Sequence, residues 1–276
     1  MRKRILVTGS GGFIGRHLTA YLSSKDYEVV PFAGDVTKKI DIDGEIDAVY
    51  HLAAKTFIGY CTLNPKETMD VNFGGVLKGL ECAREKKAKF IFASAAAVYG
   101  ANNEGLSEDF PAKPNNVYGL SKYLAEQLCE FYAKYLEIPC VVLRLFNVYG
   151  AGQRGEFLLP TLVQNIQKGQ TIELRSPKSV RDFIYIDDVL SAFELCVEKN
   201  FEAKFNLFNI GSGKGYSVEE VVGIIKSVSG KDAAVKSDET AEGDVSTADI
   251  SKAKKFLGWG PKVSFEEGIR KMLAEV

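Results

Sequence analysis

The chain has 276 residues, 46% hydrophobic and 26% charged, with a formal net charge of -1. This is the composition of a soluble globular protein, and its balanced charge offers no basic field to draw in nucleic acid or an anionic membrane. No stretch approaches the ~18 apolar residues of a membrane span, and two histidines, His17 and His51, leave no basis for a histidine metal site or a Ser-His-Asp triad.

Five cysteines (Cys61, Cys82, Cys129, Cys140, Cys196) are scattered without C-x-x-C spacing and read as small buried hydrophobes in a reducing cytosol. The basic start, Met1-Arg2-Lys3-Arg4, leads into an apolar run that stops after Val7, too short for a signal sequence. The expected location is the cytoplasm, with no metal, nucleic acid or membrane as partner.

Residues 4–7 read as a buried strand and 13–24 as a helix. Strands follow at 27–32 and 47–52. Pro65 suits the first turn of a long helix reaching about Lys87. A strand at 89–93, a long helix over 116–136 and a strand at 139–146 continue the alternation. This predicts an α/β fold: a doubly wound parallel sheet covered on both faces. After Gly150 the rhythm loosens. Helices are expected at 157–168, 187–198 and 218–228, an extended segment at 181–185 and a strand at 205–210. Short helical pieces follow at 251–257 and 265–275. The expected division is a dinucleotide-binding domain over 1–150, to which 181–200 returns, and a smaller C-terminal substrate-binding lobe over 151–276.

Gly9, Gly12 and Gly15 follow a strand and open a helix, in Gly9-Ser10-Gly11-Gly12-Phe13-Ile14-Gly15. Glycine permits the tight turn and the close approach of backbone to a pyrophosphate, whose charge faces the helix N-terminus. This marks the sheet as Rossmann-type. A ribose-binding acid is expected ~20 residues on, at the end of the second strand. Ala33 stands at that place, so Asp35 is left to serve the ribose or to accept from adenine. Lys38 and Lys39 read first as a solvated basic pair, with contact to a 2′-phosphate as the alternative. The cofactor is read as NAD, with NADP as the alternative.

Tyr118 and Lys122 lie four residues apart on the predicted helix 116–136 and share a face. At ~5 Å and an effective dielectric of ~20, the lysine would favour the phenolate by roughly 3 kcal/mol, about two pKa units. A tyrosine drawn toward neutrality can act as a base. On the same helix Leu120, Leu124, Leu128, Phe131 and Tyr135 form one apolar stripe. Ala125, Cys129 and Tyr132 continue the face of Tyr118 and Lys122. A helix apolar nearly all round is covered on two sides, here by the sheet and by either a partner subunit or a loop.

With these residues in view, the chain resembles the extended short-chain dehydrogenases/reductases that act on nucleotide sugars, the NAD-dependent epimerases and dehydratases. The resemblance spans nearly the whole chain. Thr8 to Gly15 is similar to the family's cofactor loop, Gly34-Asp35-Val36 to its adenine contact and His51-Leu52-Ala53-Ala54 to its cofactor-lining strand end. Asp70-Val71-Asn72 resembles its helical Asn motif, and Tyr118 with Lys122 its catalytic pair. Arg144-Leu145-Phe146-Asn147-Val148-Tyr149-Gly150 is similar to the segment lining nicotinamide and sugar diphosphate. The stretch from Val180 to Asp188, with Arg181, resembles the motif whose arginine holds a diphosphate.

The resemblance implies a cofactor site made by Gly9, Gly12, Phe13, Ile14, Gly15, Asp35, Val36, Leu52, Ala53, Ala54, Leu145 and Val148 with Tyr118 and Lys122. It implies a nucleotide-diphosphate sugar substrate met by Thr56, Asn147, Leu158 and Arg181. It also implies a homodimer formed through helices 65–87 and 116–136. Three departures stand out. The family places a Ser or Thr four residues before the tyrosine of its Val-Tyr-Gly motif, and here that residue is Ala95. Ser94 is adjacent and is taken as the substitute, although strand neighbours point to opposite faces. Ala96 and Ala97 replace the acid pair of the 4,6-dehydratases, which argues against elimination. Ala241 lies where an arginine usually meets the diphosphate, with Arg175, Lys178 and Lys214 as candidate replacements.

The leading expectation is a 4-epimerase using transient hydride transfer at sugar C4. The alternative is a 4-ketoreductase spending NAD(P)H. A third reading is a weakly catalytic dinucleotide-binding protein.

Overall fold

The computed structural model describes residues 2–101, 105–238 and 240–274. β1 (Lys3–Thr8) carries the fully buried run Ile5-Leu6-Val7 and leads into α1 (Phe13–Ser23), which buries Leu18 and Leu22. β2 (Tyr27–Phe32) and β3 (Ala48–His51) flank β1 in parallel. A short helix, α2 (Ile58–Leu63), precedes a helical rod made of α3 (Pro65–Met69), a π-turn over Asp70–Gly74 and α4 (Gly75–Lys86). Pro65 opens the rod, where its missing N–H leaves nothing unsatisfied.

β4 (Lys89–Ala95) pairs with β3, and after β5 (Gly105–Leu106) comes α5 (Val117–Tyr135). Asn116 caps α5 by accepting the Gly119 N–H. The second half runs β6 (Cys140–Leu145), β7 (Asn147–Tyr149), α6 (Leu158–Gln167), β8 (Ile172–Leu174), β9 (Val180–Tyr185), α7 (Ile186–Glu198) and β10 (Phe205–Ile210). It ends with β11 (Gly215–Ser217), α8 (Val218–Ser229), β12 (Val235–Ser237), β13 (Val245–Ala248) and α9 (Phe265–Ala274). Ser217 and Glu220 close a capping box on α8.

Six strands make one parallel sheet in the order β10-β6-β4-β3-β1-β2. The chain winds outward from β1 to β2, then crosses to β3 on the other side. That reversal creates a crevice at the carboxyl ends of β1 and β3, where open α/β sheets bind ligands. α4 and α5 cover one face of the sheet, while α1 and α7 cover the other. Tyr50 of β3 donates to the Phe193 carbonyl of α7, and Lys89 donates to the carbonyls of Cys196 and Lys199. A second sheet is ordered β11-β9-β13-β5 with β7 beside β9, and β12 pairs with β8.

The long elements match the sequence reading to within a residue or two. β10 is a correction to the expected division, which put residues 205–210 with the smaller lobe. It pairs with β6 and forms an edge of the large sheet, burying Phe208 and Ile210. The short strands β5, β7, β8, β11, β12 and β13 and the helix α2 escaped the sequence reading, because two to six residues carry too little periodicity. The apolar stripe of α5 lies open: Leu120, Phe131 and Tyr135 are 42%, 52% and 60% exposed. No loop of this chain covers it among the described residues.

Candidate active site

The β1–α1 turn is shaped by what it cannot accommodate. Gly9 has φ +68°, and a Cβ there would lie 2.6 Å from the Ala53 backbone nitrogen. A Cβ on Gly15 would lie 2.0 Å from the Gly9 carbonyl oxygen. The Gly12 N–H donates to Gly9 O, and Gly12 is the N-cap of α1 without any side-chain cap. The start of α1 thus has no side-chain cap and no acidic residue in its first turn, an arrangement that suits an anion. Gly15→Ala should cost about 1–3 kcal/mol of stability through overpacking and weaken dinucleotide binding. Urea unfolding and NAD titration of the variant check both.

A cavity of about 1150 Å³ opens above this turn. It is lined by Gly9, Gly12, Phe13, Ile14 and Gly15, by Leu52, Ala54 and Thr56 after β3, and by Ser94 and Ala95 at the end of β4. Tyr118 and Lys122 reach it from α5, and Leu145, Asn147, Val148 and Leu158 close its far side. Ala53 is not among the lining residues: its N–H donates to Thr8 Oγ1 and its backbone lies against Gly9. Asp35 and Val36 are not among the lining residues. Asp35 is exposed and accepts from the Thr37 N–H and hydroxyl, which hold its carboxyl below the usual range. Val36 is a core residue against Gly75. Lys39 pairs with Glu85.

Tyr118 and Lys122 share one face of α5, as their spacing requires. The Lys122 ammonium donates to the Ala93 carbonyl at 2.7 Å and lies 6.0 Å from the centre of the Tyr118 ring. Burial lowers Lys122 to about 8, while Glu126, one turn on, pulls the other way. Tyr118 departs from the sequence expectation: burial pushes its hydroxyl well above the ordinary tyrosine value, with Cys61 adding to the rise. The low-dielectric pocket penalises the phenolate more than a lysine turned toward β4 can offset. His51, buried beneath, is lowered to about 3 by desolvation and the Lys122 charge, and is neutral.

Ser94 also departs from expectation. Its hydroxyl donates to Glu126 Oε1 on the side of the strand away from the Ala95 methyl. Glu126 in turn accepts from Arg144 Nε and Nη2, the latter at 2.7 Å, with both side chains almost fully buried. The sequence reading passed over this triad. The signals were an acid on the buried face of α5 and an arginine inside the apolar run of β6, two charges that need each other.

Asn72 is the asparagine of the Asp70-Val71-Asn72 motif singled out in the sequence. It sits in the π-turn, accepts the Lys55 N–H, and donates to the Lys55 carbonyl and the Ser121 hydroxyl. Ser121 donates to the Tyr118 carbonyl. One buried amide thus ties the segment carrying Thr56 to the turn carrying Tyr118.

A second cavity, of about 640 Å³, meets the first at Leu158. Arg181 and Arg175 line it with Glu173, Glu242 and Asp244. Arg181 is paired with Asp244 at 2.8 Å. Asn147 donates to the Asp182 backbone carbonyl. Of the candidate replacements for the missing arginine, Arg175 lines this cavity, whereas Lys214 lies over the Tyr216 ring. No cluster of three or more metal-ligating groups occurs among the described residues.

Residues 5–211 match the profile of the NAD dependent epimerase/dehydratase family. A UDP-glucose 4-epimerase of Corynebacterium glutamicum is 30% identical over 299 residues, spanning 94% of this chain and 91% of that protein. Among solved structures, RMD from Pseudomonas aeruginosa complexed with NADPH has a TM-score of 0.91 at 26% identity, covering 99% of this chain and 98% of that one. The UDP-glucose 4-epimerase of Thermotoga maritima with UDP-glucose has a TM-score of 0.89 at 29% identity, with the same coverage of both chains. The profile match takes in the glycine cradle, Tyr118, Lys122 and all of the large sheet but the first two residues of β1, and the chain belongs to the NAD-dependent epimerase/dehydratase family.

Proposed function

We propose that this protein is a nucleotide-sugar 4-epimerase that retains NAD through each turnover. The observation carrying the reading is the meeting of Tyr118, Lys122 and the glycine cradle in one cavity, joined at Leu158 to a second that holds Arg181. The cradle fits a dinucleotide: its glycines leave no Cβ where a pyrophosphate must approach, and the uncapped start of α1 faces that space. UDP-hexoses are the first substrates to test, because the Corynebacterium relative is a UDP-glucose 4-epimerase and the Thermotoga structure contains UDP-glucose.

In this reading residues 1–150, with α7 and β10, hold the dinucleotide, and the remainder of 151–276 holds the nucleoside. The chemistry NAD supplies when bound is a hydride acceptor at sugar C4, with a positive ring that favours the Tyr118 phenolate. Tyr118 takes the proton of the C4 hydroxyl and later returns it. Lys122, charged up to about pH 8, holds the nicotinamide ribose. Asn147 and Arg181 meet the diphosphate, with Arg181 exchanging Asp244 for phosphate oxygens. Anchored through its nucleotide, the sugar is free to turn and present its other face.

The open stripe of Leu120, Phe131 and Tyr135 on α5 suits a homodimer packed through this helix and the α3–α4 rod. The five free, buried cysteines suit a reducing cytoplasm. No helix among the described residues is long and apolar enough to cross a membrane. The test of function is to denature the purified protein, identify the released dinucleotide by mass spectrometry and incubate the native protein with UDP-glucose. Stoichiometric NAD and appearance of UDP-galactose are expected. An empty site that binds NADPH, with turnover of 4-keto sugars only, overturns the reading in favour of a reductase. Light scattering on a sizing column should give twice the chain mass.

A further inference from the structure

The reaction proposed above leaves one chemical need unmet. As the C4 hydroxyl becomes a carbonyl, its oxygen gives up a proton to Tyr118 and still offers a second lone pair. A donor fixed at that oxygen stabilises the charge that builds on it in the transition state. At the end of β4, Ala93, Ala95, Ala96 and Ala97 bring only methyl side chains to the cavity.

The other hydroxyls lining the cavity can be taken one by one. Ser94 donates to Glu126 inside the buried triad. Tyr60 donates to Glu67 on the exposed rim. Tyr149 is buried and donates to the Phe265 carbonyl. Tyr118 is the proposed base. Thr56 remains, and among the described lining residues its is the aliphatic hydroxyl with no internal partner.

Its backbone setting is fixed. Asn72 holds both the N–H and the carbonyl of Lys55, the preceding residue, and joins it through Ser121 to the turn of Tyr118. The backbone next to Thr56 and the helix turn of Tyr118 are thereby tied to one buried amide, and both residues line the same cavity, a restraint that favours preorganised donation.

We infer that Thr56 donates a hydrogen bond to the reacting C4 oxygen, the task the Ala95 methyl cannot perform. The inference rests on the epimerase reading. It adds no bond-breaking step, since proton and hydride go where that reading sends them. Thr56 is thus a catalytic residue through direct contact with the substrate.

The experiment compares Thr56→Val, Thr56→Ser and the double variant Thr56→Val with Ala95→Ser, each with its NAD content measured, in UDP-glucose/UDP-galactose interconversion. Thr56→Val is expected to lower kcat about 10²-fold, as loss of one such donor does, with KM within about threefold and UDP affinity by calorimetry unchanged. Thr56→Ser should hold kcat within about threefold, and Ala95→Ser should restore at least about tenfold of the Val loss by offering a hydroxyl from the facing strand. A Thr56→Val enzyme with wild-type kcat overturns the assignment and leaves the epimerase reading standing. Equal loss in the Val and Ser variants does the same, because it shows a need for shape and not for a hydroxyl. A wild type silent toward UDP-hexoses in both directions overturns the reading and this inference together.

Discussion

Tyr118→Phe is expected to lower kcat about 10³-fold, within the range for loss of a general base, while leaving bound NAD in place. The argument separates the hydroxyl from the ring. The ring is part of the cavity wall, and the next residue, Gly119, lies so close to the Ala97 carbonyl that a Cβ would meet it at 2.4 Å. Phenylalanine keeps that packing. Among the described residues the tyrosine hydroxyl has no hydrogen-bond partner whose loss would unfold the site, and Lys122 keeps its bond to the Ala93 carbonyl. What disappears is the one group on α5 able to take a proton from the sugar. Activity of the wild type should fall as Lys122 loses its proton near pH 8, and the Phe variant should stay low across the whole range. Interconversion rates across pH, with dinucleotide content by mass spectrometry, decide the matter. Retention of more than about a tenth of the wild-type rate would remove Tyr118 as base, since a base contributes at least about 10²-fold.

The parts of this site legible in the sequence are those whose requirements are local. Gly9 and Gly15 are demanded by contacts within the turn and with the next strand end, so a strand–glycine–helix pattern was enough. Tyr118 and Lys122 share a face because helical geometry makes them. The doubly wound sheet followed from apolar runs spaced by helices. Even the orientation of Ser94 was available from strand alternation. What the sequence could not disclose depends on residues far apart in the chain. The target of Lys122 is a carbonyl on β4, reached only once helix and sheet are packed. The Tyr118 shift took the wrong direction because desolvation, invisible in a spacing, outweighs a lysine aimed elsewhere. Arg181 carried a motif, yet its partner Asp244 lies 63 residues on, just ahead of β13. Asp35 sat near the expected acid position, but its neighbour Thr37 claims the carboxylate.

Glu126→Ala should destabilise the protein by about 3–5 kcal/mol, the cost of leaving one member of a buried ion pair alone. Glu126 and Arg144 are 1% and 5% exposed at their side chains, so neither can turn to solvent without opening the α5–sheet interface. Removing the carboxylate strips Arg144 of its bonds from Nε and Nη2 and leaves it the Tyr99 ring at 4.7 Å and the Glu108 carbonyl at 3.5 Å. Ser94 loses its acceptor at the same time. Urea unfolding of the dinucleotide-free protein measures the loss. The double variant Glu126→Leu with Arg144→Met should regain most of it, because a matched apolar pair avoids the desolvation that an ion pair must offset. Glu126→Gln isolates the charge. The carboxylate lies one helical turn from Lys122 and raises the lysine's pKa against desolvation. Withdrawing a negative charge disfavours the ammonium, so Lys122 should give up its proton below its present value of about 8. The alkaline fall in kcat should therefore begin at lower pH in Glu126→Gln than in the wild type. An unchanged alkaline limb would mean that the triad only braces α5 against the sheet. A shifted one would mean that it also keeps the lysine charged at the pH where the enzyme works.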